Sequence, residues 1–325
     1  MNDNMNEKVK SGVYGFVIAD AMGVPIEFTR RNYSKDKWLK EMVGYGSHKV
    51  PEGTWSDDTS MTIATMDSIQ ENGKLDYEDV MKRFLAWFHN AEYTATDVVF
   101  DIGNATAKAL SKYNNSSLPA VECGGKTEYD NGNGSLMRML PVSMYLESLN
   151  ISDEERVEIV CNASSMTHGH DISKLGCVIY DRFIHELLSG KDKVTAYKDS
   201  CDFNYSKYFD KKTLSKYDRV LSKEIDKLNV DEISSSGFVV STLEAALWST
   251  LTSKNYEESI VKSINLGDDT DTVGAITGSM TGIVYGYDNI PKRWVDKLRK
   301  KEYLDDLINK FSKTLVEGEK LSQKL

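Results

Sequence analysis

The chain has 325 residues, with 40 Lys and Arg against 50 Asp and Glu, a formal charge of -10, and 40% hydrophobic residues. That hydrophobic content, with 5 Trp, 17 Tyr and 10 Phe, excludes a disordered polymer. The negative balance argues against DNA or RNA as a partner, because nucleic-acid affinity comes from Lys and Arg replacing condensed counterions. The opening MNDNMNEKVK lacks an apolar signal core. No later stretch reaches the roughly 18 continuous apolar residues of a membrane span, so the chain reads as cytoplasmic, with no membrane partner. Cys123, Cys161, Cys177 and Cys201 fit no metal or disulfide spacing and read as reduced bystanders. With no Gly/Ser linker, residues 1–325 read as a single domain.

Helical signals succeed one another along the chain. From Lys8 to Glu27, Gly12, Gly15, Ala19 and Gly23 recur at three- and four-residue steps and share one helical face. Asp57 to Gln70 reads as a second helix, with Asp57 and Asp58 at its start and Gly73 after its end. Asp76 caps a third, carrying Val80, Phe84, Trp87 and Phe88, and another is expected from Asp97 through Ala109. Ser152 and Glu155 form a capping box, and Asp171 starts a helix that Gly190 ends. Further helices are expected over Phe238 to Leu251, Asn255 to Ile264, and from Pro291 onward. Strand alternation is absent.

Two segments stand apart. Residues 190–232 are rich in Lys, Asp, Ser and Tyr and read as a peripheral, solvated helix-loop excursion, or alternatively a flap that recognises an acceptor. Gly274, Gly278, Gly282 and Gly286 fall at every fourth position. A helical glycine costs about 1 kcal/mol relative to Ala, so close packing must compensate. The stripe predicts a groove for another helix, with the Gly12 to Gly23 face as its partner.

The acidic clusters carry the chemistry. Ser56-Asp57-Asp58-Thr59 and Asp268-Asp269-Thr270-Asp271-Thr272 each open a helix. A cap needs one oxygen, whereas adjacent carboxylates repel one another without a cation. Oxygen ligands without convergent His or Cys favour magnesium, calcium or manganese over zinc, and two clusters suit a two-metal hydrolytic site. An EF-hand is excluded because Met280 stands where its bidentate Glu belongs. Asp269-Thr270-Asp271-Thr272-Val273 also imitates a DxDxT-type phosphatase loop, a minor alternative. Asn131-Gly132-Asn133-Gly134-Ser135, ahead of Leu136 to Leu140, can present backbone N–H groups to an anion or form an ordinary turn, and Pro141 is expected to bend or end the helical stretch there. His168 is either a structural histidine or a ligand-orienting donor.

Taken together, Gly15-Phe16-Val17-Ile18-Ala19-Asp20-Ala21-Met22-Gly23 with Glu27, Gly53 to Thr59, Asn131 to Arg138, Thr167-His168, and Gly267 to Gly274 resemble the successive motifs of the ADP-ribosylglycohydrolases. That family includes the dinitrogenase reductase activating glycohydrolase. The resemblance implies an all-α, compact, orthogonally packed helical bundle with two Mg2+ ions, for which Mn2+ can substitute. It implies hydrolytic removal of ADP-ribose from a protein or a small conjugate by a monomeric enzyme. Ser56, Asp57 and Asp58 would hold one metal group, and Asp269, Asp271 and Thr272 the other. Ser56 stands where many relatives have Thr and keeps the hydroxyl. Glu27 would gate or polarise the site, and one of Asp57, Asp58 or Asp269 would orient or deprotonate the attacking water. Gly132, Asn133, Gly134 and Ser135 would wrap the pyrophosphate, and His168 would line the cleft. Arginine-linked ADP-ribose is the preferred substrate, with serine linkages and O-acetyl-ADP-ribose open. A catalytically silent ADP-ribose binder or structural relative is the alternative.

Overall fold

The computed structural model describes residues 2–322, with side chains from 5 to 318. Its helices are α1 (Asn2–Gly23), α2 (Asp57–Asn72), α3 (Tyr77–Asn90), α4 (Asn104–Asn114), α5 (Leu140–Leu146), α6 (Asp153–Ser165) and α7 (Asp171–Leu188). They continue as α8 (Lys193–Cys201), α9 (Lys211–Ser215), α10 (Val239–Leu251), α11 (Tyr256–Ile264), α12 (Thr270–Tyr285), α13 (Lys292–Val295) and α14 (Lys301–Ser322). Among the described residues there is no strand, only isolated bridges between Gly125 and His168 and between Gly132 and Phe238. The protein is all-α.

Local chemistry fixes many boundaries. Ser56 Oγ accepts from the Asp58 N–H, Asp76 from those of Glu78 and Asp79, and Asn255 from that of Glu258. Ser152 and Glu155 close their capping box reciprocally. Such caps satisfy backbone donors that the first helical turn leaves unpaired.

α1 and α12 form the central pair and run antiparallel. A Cβ added at Gly278 would lie 2.1 Å from the Gly15 carbonyl oxygen, one at Gly282 2.2 Å from that of Ser11, and one at Gly274 2.9 Å from that of Ala19. The backbones therefore touch where any side chain would wedge them apart. Val13, Phe16, Val17, Ile276 and Met280 are buried around this seam. The expected groove is present with the expected partner, except that Gly286 lies beyond it. With φ of 83°, Gly286 ends α12.

Four further expectations change. The helix expected from Asp97 begins only at Asn104, because Asp97 has φ of 58° and the chain stays irregular to Gly103. Pro141 opens α5 instead of ending a helix, since its missing N–H would be unpaired in a first turn anyway. Within 190–232, Tyr197, Tyr205, Tyr217, Val220 and Ile225 are buried in the main hydrophobic cluster. This polar-looking segment therefore contributes to the core through its aromatic rings while most of its Lys and Asp stay at the surface. One helical stretch, Met5–Ile26, is long and apolar enough to cross a bilayer, but most of it is buried inside the fold.

Candidate active site

The seam between α1 and α12 delivers the acids. At its end, a Cβ on Gly23 would lie 2.4 Å from the Asp271 Cα, and the Thr270 hydroxyl donates to the Gly23 carbonyl at 2.8 Å. The chain leaving α1 then pairs with the turn before α12. Phe28 N–H donates to the Asp268 carbonyl at 2.7 Å, and Asp268 N–H to that of Thr29 at 2.9 Å. Phe28 and Asp268 both have positive φ, 60° and 56°, a cost for non-glycine residues that tertiary contacts must sustain. Glu27 and Asp269 thereby sit side by side.

Asp20, fully buried in α1, positions the other cluster. Its carboxylate accepts from Ser56 N–H at 3.1 Å, Thr59 N–H at 3.1 Å and Thr59 Oγ1 at 2.5 Å. An anion at a helix start also complements the macrodipole. With α2 pinned, Asp58 Oδ1 accepts from Thr272 Oγ1 at 3.2 Å, which joins the two sequence clusters. Glu27, Asp269 and Asp271 each bring an oxygen within 4.8 Å of the others, as do the ligand atoms of Glu27, His48 and Asp101.

Charge in this pocket is poorly compensated. Among the described residues, the ion pair that reaches these acids joins His48 Nε2 to Glu27 Oε2. Burial, then the charges of Asp101, Glu27, Asp20 and Asp269, pushes the Asp57 carboxyl well above the ordinary range. Asp58 is raised by burial, then Asp20, Asp57 and Asp269, and Asp271 by burial, then Glu27, Asp58 and Asp269. Burial lifts Glu27 to about 7 although the His48 hydrogen bond opposes it. Asp58 Oδ2 is buried with no hydrogen-bond partner. Asp269 begins α12, yet its side chain caps nothing. Carboxylate and hydroxyl oxygens gathered from two helix starts, with the buried Asp58 Oδ2 left unpaired, fit a hard divalent cation.

Residues 1–322 match the ADP-ribosylglycohydrolase family model. The chain is 32% identical over 306 residues to the ADP-ribosylarginine hydrolase Tri1 of Serratia proteamaculans, spanning 93% of this chain and 78% of that protein. It is 24% identical to the ADP-ribosyl-[dinitrogen reductase] glycohydrolase of Rhodospirillum rubrum, over 92% of each. This chain belongs to the ADP-ribosylglycohydrolase family. A solved structure, an ADP-ribosylglycohydrolase-related protein complex, superposes with a TM-score of 0.77 at 25% identity, covering 96% of this chain and 99% of that one. The all-α ADP-ribosylglycohydrolase architecture accounts for the absence of the apolar strand that a DxDxT-type phosphatase loop requires.

The glycine loop lies against the acids. Asn133 Nδ2 donates to Asp269 Oδ2 at 2.8 Å and to Thr242 Oγ1 at 2.9 Å, while its backbone N–H donates to the Gly237 carbonyl. Asn133 therefore orients Asp269. Ser135 is fully buried, accepting from Ser164 Oγ at 2.9 Å and contacting Cys177 Sγ, so its side chain is structural. Gly134 needs its missing Cβ, which would meet His168 Cε1 at 2.8 Å. His168 lies beneath the loop, 2% exposed, and burial followed by the nearby Arg138 charge lowers its pKa to about 3. It is a neutral ring. Arg138, also beneath the loop, is fully buried, with Nε and Nη1 unpaired.

Three residues of the site have no role assigned from the sequence, although Asp20 stands within one of its motifs. Asp20 was visible as the lone acid in an otherwise apolar helical face, a signal that could have exposed it. His48 and Asp101 lie in irregular segments with no periodicity to mark them, and only folding brings them to Glu27.

Proposed function

We propose that this chain is a magnesium-dependent hydrolase that removes ADP-ribose from arginine on modified proteins or small conjugates. The observation that carries this reading is the convergence of Asp57 and Asp58 with Asp269, Asp271 and Thr272, joined by the Thr272–Asp58 Oδ1 hydrogen bond, with Asp58 Oδ2 left unpaired. Two Mg2+ ions, replaceable by Mn2+, would be held by Ser56, Asp57 and Asp58 and by Asp269, Asp271 and Thr272. When bound they would neutralise the acids, polarise the ribose hydroxyls and acidify a water.

The chain's own groups supply the rest. Cleavage at the ribose C1″ passes through positive charge shared with the ring oxygen, and the carboxylates of Asp57, Asp58 and Asp269 complement that charge. Asn133 holds Asp269 in one rotamer. Glu27, with a pKa near 7 and tied to His48, can take up or release a proton close to neutral pH. The backbone N–H groups of Gly132, Gly134 and Ser135 would receive the pyrophosphate, since that of Asn133 is spent on the Gly237 carbonyl, with the buried Arg138 charge behind them and neutral His168 packed below. The arginine linkage is favoured by the likeness to Tri1, named as an ADP-ribosylarginine hydrolase.

Incubation with ADP-ribosylarginine, with and without magnesium, tests the proposal. Free ADP-ribose should appear, and should be lost with chelator and in Asp269→Ala. Binding without turnover would instead identify a silent relative, and phosphate release a phosphatase.

A further inference from the structure

A second cavity, of about 270 Å3, opens beside Leu266, three residues before Asp269. Trp38 and Trp248 line it together with Tyr33, Arg31, Lys35 and Lys262. The indole N–H groups are spent on the protein, Trp38 on the Asn32 carbonyl at 2.7 Å and Trp248 on the Leu228 carbonyl at 2.9 Å. Ring carbon is what they offer the cavity.

The cations are weakly balanced. Arg31 gives its guanidinium to three carbonyls, those of Leu266, Val230 and Ile233, and to no carboxylate. Lys35 Nζ lies 5.6 Å from the Trp38 ring centre and, among the described residues, forms no ion pair. Lys262 Nζ lies 5.3 Å from the Trp248 ring and donates to Thr252, with Glu258 at 3.8 Å. Burial and the charges of Lys193 and Lys35 lower the Lys262 pKa, so the two pocket ammoniums feel one another. Three positive groups face one carboxylate here, in a chain whose formal charge is -10. Aromatic surfaces paired with uncompensated cations recognise a ring that carries negative charge.

We propose that this cavity binds an aromatic anion the size of a nucleoside monophosphate, with its ring against the half-buried Trp38 and the edge of Trp248 and its anionic group at Lys35 and Lys262. The site is separate from the acidic cleft and does not depend on the reaction proposed there. Arg31, which lines it, also holds the Leu266 carbonyl three residues before Asp269.

The probe is AMP, titrated into magnesium-loaded protein saturated with ADP-ribose and followed by calorimetry and tryptophan fluorescence. One equivalent of AMP should still bind. Adenosine, which lacks the charge, and inorganic phosphate, which lacks the ring, should each bind at least tenfold more weakly. Lys35→Glu, at an exposed position outside the catalytic machinery, should weaken AMP at least tenfold and leave ADP-ribose affinity unchanged. Displacement of AMP by ADP-ribose, equal affinity in Lys35→Glu, or no binding at millimolar AMP would each overturn the proposal. Failure of ADP-ribose to bind would count against the proposed function, while the Lys35→Glu comparison with AMP alone would still decide the cavity.

Discussion

The glycine seam between α1 and α12 and the acid cluster at its end are both buried, yet they sit at opposite extremes of internal compensation. Along the seam, Gly15, Gly278 and Gly282 let backbones touch, and apolar neighbours close around them. At its end, Asp57, Asp58 and Asp271 are packed together with raised pKa values, and one Asp58 oxygen has no partner. The first region is complete without anything added. The second is held together by the first, because a carboxylate cluster that repels itself persists only where rigid elements force it.

Breaking the seam should have the largest effect. Gly278→Val places a branched side chain against the Gly15 carbonyl, with no flexible group able to yield, and should cost roughly 3 kcal/mol or more. Urea unfolding measures this, and a loss below about 1 kcal/mol would show that the two helices can separate freely.

Asp58→Asn should sharpen the contrast. Removing a buried charge with a raised pKa should stabilise the metal-free protein, while hydrolysis falls by roughly 100-fold or more through lost cation affinity. Melting in chelator and turnover in magnesium read the two effects separately. Destabilisation of the metal-free protein would show that Asp58 serves the fold.

A smaller effect belongs to His168, which lies between the two regimes as a buried polar ring kept neutral. Its folded pKa of about 3 lies below the ordinary 6.5, so the unfolded chain binds the proton first. Its contribution to stability is complete above about pH 6.5 and is lost as pH falls toward 3, with a slope of up to about 1.4 kcal/mol per pH unit. Unfolding free energies at pH 6.5 and 5.0 should therefore diverge less in His168→Gln than in the wild type. Equal changes in both would mean that His168 titrates normally.

Much of this contrast is legible in one dimension. Glycines four residues apart, small residues on the Gly12 to Gly23 face, and paired acids at helix starts are local patterns; the first two meet as the expected seam, and the acids stand at the expected helix starts. Asn133 illustrates the opposite case. Its loop reads as an anion site or an ordinary turn, and neither reading foretells that its side chain holds Asp269, 136 residues away. Asp97 failed as a helix start because nothing in its neighbours reveals that the chain bends there with φ of 58°. The 190–232 segment misled through composition, since Tyr197, Tyr205 and Tyr217 bury their rings while most residues around them stay polar.

The sequence by itself determined the all-helical class, the seam and the two acidic strings, because helical period and capping depend on residues within one or two turns. Only the tertiary structure decided that Asp20 pins α2 from another helix, that His48 pairs with Glu27, and that Asp101 joins them. Those contacts link residues 21 to 53 or more positions apart, or lie in loops without periodicity. No local pattern encodes them, because each partner comes from a different element or loop and they meet only when the chain folds.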